Sequence, residues 1–460
     1  MRMPSIVSFA LLATVLLADL PAQRGRRGQR PPQQPEQAAP APEAKKEESK
    51  KPKAYLAVVG ADVYLGTGQR MTGATVLVAD DKIESVGQNL ELPEGTTVID
   101  AKGKIVSPGF ICVLGNGMGA PRSAPFADGV NPFDPEIKQG LAAGITAFLA
   151  GSTNGRGTPG GSNAVIKLAY GDLDGMVLRE NPVVGISMPM STEERDKLYE
   201  QIDAAKKYLQ EVADYPAAKA KDEKTKPPQA PRGAEKLVEI LEGKTSLWVN
   251  LGGGSFGFFR RRGGSGGESD LDAIRQGLDL ASKLGRGVVL VKPTSAWVIP
   301  DEIAATGSMA ILSPRTRVEA DPKDPEHTGS NLASAAILAR AGVPVSVTCP
   351  VGMFGGAGVG TNGILGQDLN TPNVDAAFAV RGGLDNRKAL RTLTLDAAAM
   401  LGVADRVGSL EAGKDADILI LDGDPMHYAT FVTTAIVNGK VVYEKGEDAL
   451  YRHIVRNTDR

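Results

Sequence analysis

Only three histidines, His327, His427 and His453, and two cysteines, Cys112 and Cys349, occur in the 460 residues. Two cysteines exclude a disulfide-built scaffold. Three scattered histidines exclude a zinc, iron or nickel centre made of about four imidazoles. A dominant charge is missing too: 52 Lys and Arg against 54 Asp and Glu leave a net −2, which gives no footprint for nucleic acid. No apolar run reaches the roughly 20 residues that a membrane span needs. The run at residues 6–17 comes closest. It follows Arg2 and precedes Ala18 and Ala22, the three-part pattern of an export signal over residues 1–22. Export to the periplasm or the extracellular space is expected, with an uncleaved signal as the alternative tether.

What is present is a soluble composition, 42% hydrophobic and 23% charged, in a chain long enough for a barrel and an accessory domain. Residues 23–53 run from Arg-rich through Pro/Gln/Ala-rich to mixed Lys/Glu with no apolar period, and read as a disordered linker. From Tyr55 the texture alternates. Residues 75–79, the Asp80-Asp81 turn and residues 82–86 form a hairpin pattern, and 97–100 a further strand. Near the other end, residues 417–421 and 435–443 alternate likewise, the latter turning on Asn438-Gly439, both tolerant of positive φ. A small β-sandwich from both chain ends, residues 54–107 and 405–447, is expected around an α/β middle at 108–404, with a tail at 448–460. In the middle, Ser191 and Glu194 make a capping box for a helix whose buried stripe is Leu198, Ile202, Ala205, Leu209 and Val212.

The corner Pro108-Gly109-Phe110-Ile111 leads into an apolar run that stops at Gly115, Asn116 and Gly117. It resembles the first barrel strand of the amidohydrolase superfamily, which writes Pro-Gly-Phe-Ile-Asp-x-His-x-His there. Residues 390–425 resemble the same family's closing helix, its Gly-Ser-Leu-Glu-x-Gly-Lys turn and its Asp-Ala-Asp strand. Gly140 to Phe148 resembles its Gly-Val-Thr-Thr, and the Ala-Val-Ile-Lys-Leu at residues 164–168 resembles the imidazolonepropionase-like subgroup. The resemblance implies a (β/α)8 TIM barrel with a composite β-sandwich, and makes Lys167 a structural lysine of that subgroup.

The resemblance also implies a divalent metal such as zinc, and here the chain departs. Leu114 and Asn116 stand at the first two ligand positions, Asn250 and Gly252 at the next pair, Lys292 at another, and Pro350 where a proton-shuttling aspartate belongs. Leucine and proline donate nothing to a cation and a lysine ammonium repels it. No cofactor is therefore expected. The reading that follows is a pseudoenzyme acting as a binding or scaffolding subunit, beside an active relative as homo- or hetero-oligomer, with a small-molecule ligand open.

Two other readings stand beside it: a metal-dependent hydrolase of C–N bonds in cyclic amides or dipeptides, and a metal-free enzyme using Lys292 with Asn116 and Asn250. The vestigial pocket is expected to gather Asn116, Lys167, Asn250, Lys292 and Cys349. By strand alternation Cys112 shares the inward face of Leu114, and whether it pairs with Cys349 is left open. Gly252 to Gly257 fits G-x-G-x-x-G, but Phe258, Phe259 and Arg260 to Arg262 follow instead of a helix, so a rim loop is expected rather than a dinucleotide site.

Overall fold

Short β-branched runs punctuated by glycine and Asx turns become nineteen strands in the computed structural model, which describes residues 53–121, 123–155, 157–251, 270–348, 372–449 and 451–455, and the backbone of Val359 and Gly360. In chain order they are β1 (Tyr55–Tyr64), β2 (Arg70–Ala79), β3 (Lys82–Gly87), β4 (Thr97–Asp100), β5 (Ile105–Pro108), β6 (Phe110–Cys112) and β7 (Gly115–Asn116). There follow β8 (Ile145–Ser152), β9 (Ser162–Lys167), β10 (Val177–Glu180), β11 (Val183–Met188), β12 (Ser246–Leu251), β13 (Val289–Val291), β14 (Met309–Leu312) and β15 (Val345–Val347). The last are β16 (Val359–Gly360), β17 (Ile418–Leu421), β18 (Val432–Val437) and β19 (Lys440–Glu444).

β11 to β15 lie side by side in parallel register, and β6 is parallel to β8. β9 turns back antiparallel to β8. One face of these strands packs against the surrounding helices. The other carries Ile111, Leu149, Val183, Trp248, Val289 and Ile311, closed from the far side by Ala397 and Met400 of the helix Leu395–Met400. Trp248 fills this inner face: it is fully buried and its indole N–H donates to the Met400 carbonyl at 3.4 Å.

The expected eight-stranded ring does not close among the described residues. Between β6 and β15 runs the link Thr392–Leu393, which takes the bonds a neighbouring strand would take: Ile111 N–H donates to Leu393 O at 2.6 Å, and Ser346 Oγ to Thr392 O at 2.8 Å. β9 and β11 form no ladder among the described residues: Gly160, ahead of β9, bridges to Gly185, and the Asn163 amide donates to Val183 O at 2.9 Å.

Both ends of the described chain share one eight-stranded sheet, ordered β19-β18-β17-β5-β1-β2-β3 with β4 also against β1. The sandwich expected from sequence is a single sheet that coils back on itself. β3 reaches the approach to β17, where Ile83 N–H donates to Lys414 O and Gly413 N–H to Ile83 O, both at 2.8 Å. Val58, Ile83, Ile418 and Ile436 consequently share one core. On the other face of β17, Leu419 and Leu421 join Phe110 and Ile145 in the larger core, so the sheet and the α/β layers are packed as one unit. Asn438 and Gly439 adopt the positive φ expected of them, 50° and 71°, and Asp80 in the other hairpin turn has φ 56°.

The helix Thr192–Lys221 carries the expected capping box, Glu194 N–H to Ser191 Oγ at 3.3 Å and Ser191 N–H to Glu194 Oε2 at 3.0 Å. Its stripe is buried only at Leu198, Ile202 and Ala205. Val212, expected inside, is 41% exposed, because the 30-residue helix continues after the body beneath it has ended.

Candidate functional site at the carboxyl ends of the parallel strands

Parallel strands deliver their carboxyl ends to one side of the molecule, where α/β folds of this kind place their sites. Leu114 and Asn116 follow β6, Asn250 lies on the last turn of β12, and Lys292 follows β13. Alternation sets Asn250 on the same face as Trp248, directed inward. Gly252, Cys349 and Pro350, with the Phe258 to Arg262 loop, lie outside the described residues.

The inner face of β11 and β12 at this end is covered by the chain's own backbone. The Asn250 amide donates to Thr153 O at 3.1 Å, and Ser187 Oγ to Gly155 O at 3.3 Å. Gly160 and Gly185 exchange backbone bonds at 3.0 and 2.7 Å. The approach is closer than any side chain allows: a Cβ built on Gly185 would lie 1.6 Å from Thr153 O, and one on Gly155 2.1 Å from Gly185 O. The glycine spacing of residues 151–161 was the sequence signal for this cover.

Lys292 stands at a tight turn, with φ +57° and its N–H donating to Ile311 O at 2.8 Å. Asp270 fixes that turn from outside. One carboxylate oxygen accepts from Thr294 N at 2.6 Å and the other from Ser295 N at 2.9 Å. Beyond β14, Arg315 grips Asp375 with two bonds of 2.9 Å, and the Asp375 carboxylate is fully buried. Neither Asp270 nor this pair was singled out from the sequence, since their partners are distant in the chain.

Lys167 is not part of this group. β9 runs antiparallel to β8, so its last residue pairs with Ala147 at the end of the core opposite to Thr153. There Lys167, 1% exposed, contacts Asp415 and Asp417 at 2.9 Å each and the Asn438 side chain. Asp415 also takes two 2.8 Å bonds from Arg406 and one from Lys82. Burial pushes the Asp415 carboxyl up, but Arg406, Lys167 and Lys82 together outweigh it and hold it well below the usual range. Asp417 goes the other way: burial raises it, and Lys167 only partly opposes. Cys112 likewise departs from expectation. It belongs to the outer core with Phe148, whereas Leu114 packs on the inner one, because the strand ends at Cys112 and a bend at Val113 and Leu114 breaks the alternation. Its thiol is free, buried and pushed far up by burial, with Asp375 adding to the shift.

This geometry, strands with a donor-bearing carboxyl end and a closing Asp-Ala-Asp strand at the far side, can be set against known proteins. Residues 281–443 match the amidohydrolase family. The match runs from before β13 to β19 and includes Lys292, Asp415 and Asp417. An amidohydrolase from Thermotoga maritima MSB8 is 22% identical, over 85% of this chain and 100% of its own, with a TM-score of 0.60. A triazine hydrolase from Arthobacter aurescens is 17% identical over 86% and 96% of the two chains, TM-score 0.47. A molinate hydrolase is 14% identical over 89% and 99%, TM-score 0.45. No curated protein matches the chain. The Thermotoga likeness gives a TIM-barrel-like α/β fold, and the match to the amidohydrolase family covers residues 281–443 within it.

The described residues at the positions where the resemblance implies metal ligands do not fit a divalent ion. Leu114 is hydrocarbon packed on the inner core, Lys292 is a cation, and the Asn250 amide is committed to Thr153 O. The set holds no imidazole, thiolate or carboxylate, the donors that hold such ions. Among the described residues no group of three or more His, Cys, Asp or Glu converges elsewhere. His327 pairs with Asp324 at 2.7 Å on an exposed loop and His427 stacks on Tyr428, far apart in the chain.

Proposed function

We propose that this chain is an amidohydrolase-type protein, of imidazolonepropionase-like descent, that has lost metal-dependent hydrolysis and serves as a binding or scaffolding subunit beside an active relative. It reaches the periplasm or the extracellular space through residues 1–22, and residues 54–107 with 405–447 form its accessory β-layer. One observation carries the reading: where the resemblance puts a metal and its water, Asn250 instead pins the Thr153 carbonyl, and the backbone of Thr153, Gly155 and Gly160 lies against Gly185 of β11. A site that activates water needs a cation with an open coordination position; this end of the core offers amides, a lysine and packed glycine.

Elemental analysis of protein purified without chelator, from medium supplemented with zinc and manganese, tests the proposal. Less than about a tenth of a metal ion per chain is expected. Close to one ion per chain would overturn it and make the protein a hydrolase of C–N bonds.

A further inference from the structure

Beside Lys167, at the end of the core away from the candidate site, lies a cavity of about 300 Å³. Ligand pockets begin at that size, roughly 300–1,000 Å³. Buried Lys167 and the Asn438 side chain stand at its back, and Val177 and Leu178 give it an apolar wall. Gly175 keeps the back wall tight. Its carbonyl accepts from Asn438 Nδ2 at 3.2 Å, and a Cβ there would lie 2.4 Å from that nitrogen.

The charged groups around the cavity divide into committed and uncommitted ones. Lys167 places its three protons on Asp415, Asp417 and Asn438, so it shapes the wall and has no donor left. Lys440 is held by Asp172 at 2.7 Å. Arg406, ahead of β17, gives Nε and Nη2 to Asp415 at 2.8 Å each, while its Nη1 has no hydrogen-bond partner among the described residues. Two carboxylates are also uncommitted. Asp81, in the turn between β2 and β3, accepts no side-chain hydrogen bond and meets Lys82 at a loose 3.6 Å. Asp174, between β9 and β10, has a carboxylate with neither hydrogen bond nor ion pair among the described residues. A guest that is only an anion would meet both carboxylates, and one that is only a cation would leave Nη1 unpaired and face a like charge. A guest that carries both signs answers all three groups, and the Val177–Leu178 wall offers its apolar part a surface to bury.

We infer that this cavity binds a small zwitterion, an amino carboxylate with an apolar side chain and the size of a free amino acid. Its carboxylate lies on Arg406 Nη1, its ammonium on Asp81 and Asp174, and its side chain on Val177 and Leu178. The cavity has no residue in common with the carboxyl-end group, so the inference does not depend on whether that end holds a metal. Isothermal titration calorimetry of the full chain tests it with three probes: L-leucine, N-acetyl-L-leucine, which lacks the ammonium, and L-leucinamide, which lacks the carboxylate. L-Leucine should bind with a Kd of about 1 mM or below, and each analogue at least about tenfold more weakly. Asp81→Asn/Asp174→Asn changes two exposed side chains and should weaken L-leucine by about tenfold or more. Circular dichroism establishes that the double variant folds. No binding of L-leucine up to about 10 mM, an analogue that binds as well, or a double variant that binds like the wild type would each overturn the inference.

Discussion

Lys167 faces two aspartates from a buried position, and the imbalance of that trio sets a pH response of the fold. Asp417 has one oxygen on Lys167 and on the Asn438 N–H, but its Oδ2 has no hydrogen-bond partner. Its carboxyl is raised above the ordinary 3.8 by burial, so its contribution to stability is full below 3.8 and lost as pH rises through the folded value. Asp415 is held below 3.8, so its contribution is present above 3.8 and lost as pH falls through the lowered value. Acidification from neutrality to about pH 4 should therefore stabilise the protein through Asp417, and further acid should destabilise it through Asp415. Asp417→Asn removes the first limb and keeps the second. Urea unfolding at steps between about pH 7 and pH 3 measures both, and a variant whose slope matches the wild type above about pH 4 would refute the assignment. The Val-Ile-Lys-Leu pattern marked Lys167 as structural. Its partners were not legible, because they lie some 250 residues along the chain and no local period links them.

Strand β11 accepts its covering segment only because residue 185 has no side chain. Gly185→Ala would drive a methyl into the Thr153 carbonyl, and since both groups belong to held backbone, the segment must move. Overpacking of this kind typically costs about 1–3 kcal/mol. Asn250→Ala removes one bond to the same carbonyl and should cost about 0.5–1.5 kcal/mol. The two differ in what they release. Amide hydrogen exchange at Gly160 and Gly185 should accelerate strongly in Gly185→Ala and little in Asn250→Ala; equal protection in both would mean that the close approach does not hold the cover. At this scale the sequence announced local events well. The Ser191 box, the Asp80 turn and the Asn438-Gly439 hairpin are each encoded within four residues. It missed where a periodic stripe loses its partner, as at Val212, and where a bend resets strand parity, as between Cys112 and Leu114. Periodicity describes a face and is silent about what stands opposite it.

The terminal sheet and the α/β layers look separable in sequence, one alternating and the other helical, yet they divide a single core. β17 is hydrogen-bonded along β5, and the chain passes directly from β5 to β6 through Gly109, whose N–H donates to Asp417 O at 3.0 Å. Leu419 and Leu421 face Phe110 and Ile145, while Ile418 and Ile420 face the inside of the coiled sheet. This sharing also explains why the resemblance at Pro108 to Ile111 and at residues 390–425 predicted the barrel-like type better than the details of closure: both motifs sit at the seam, and although the second contains Thr392 and Leu393, nothing in its pattern says that this link takes the place of a strand between β6 and β15. Removing residues 405–460 would strip three strands from the sheet, uncover the outer core, and leave Lys167 buried without Asp415, Asp417 or Asn438. Losing a buried charge's partners alone costs about 3–5 kcal/mol, a large share of the about 5–15 kcal/mol that holds a folded domain. The truncated chain should therefore bind an apolar dye and show no cooperative transition in calorimetry. If the sheet were instead an appended layer, the shortened chain would melt cooperatively near the temperature of the intact protein, and that outcome would refute the shared core.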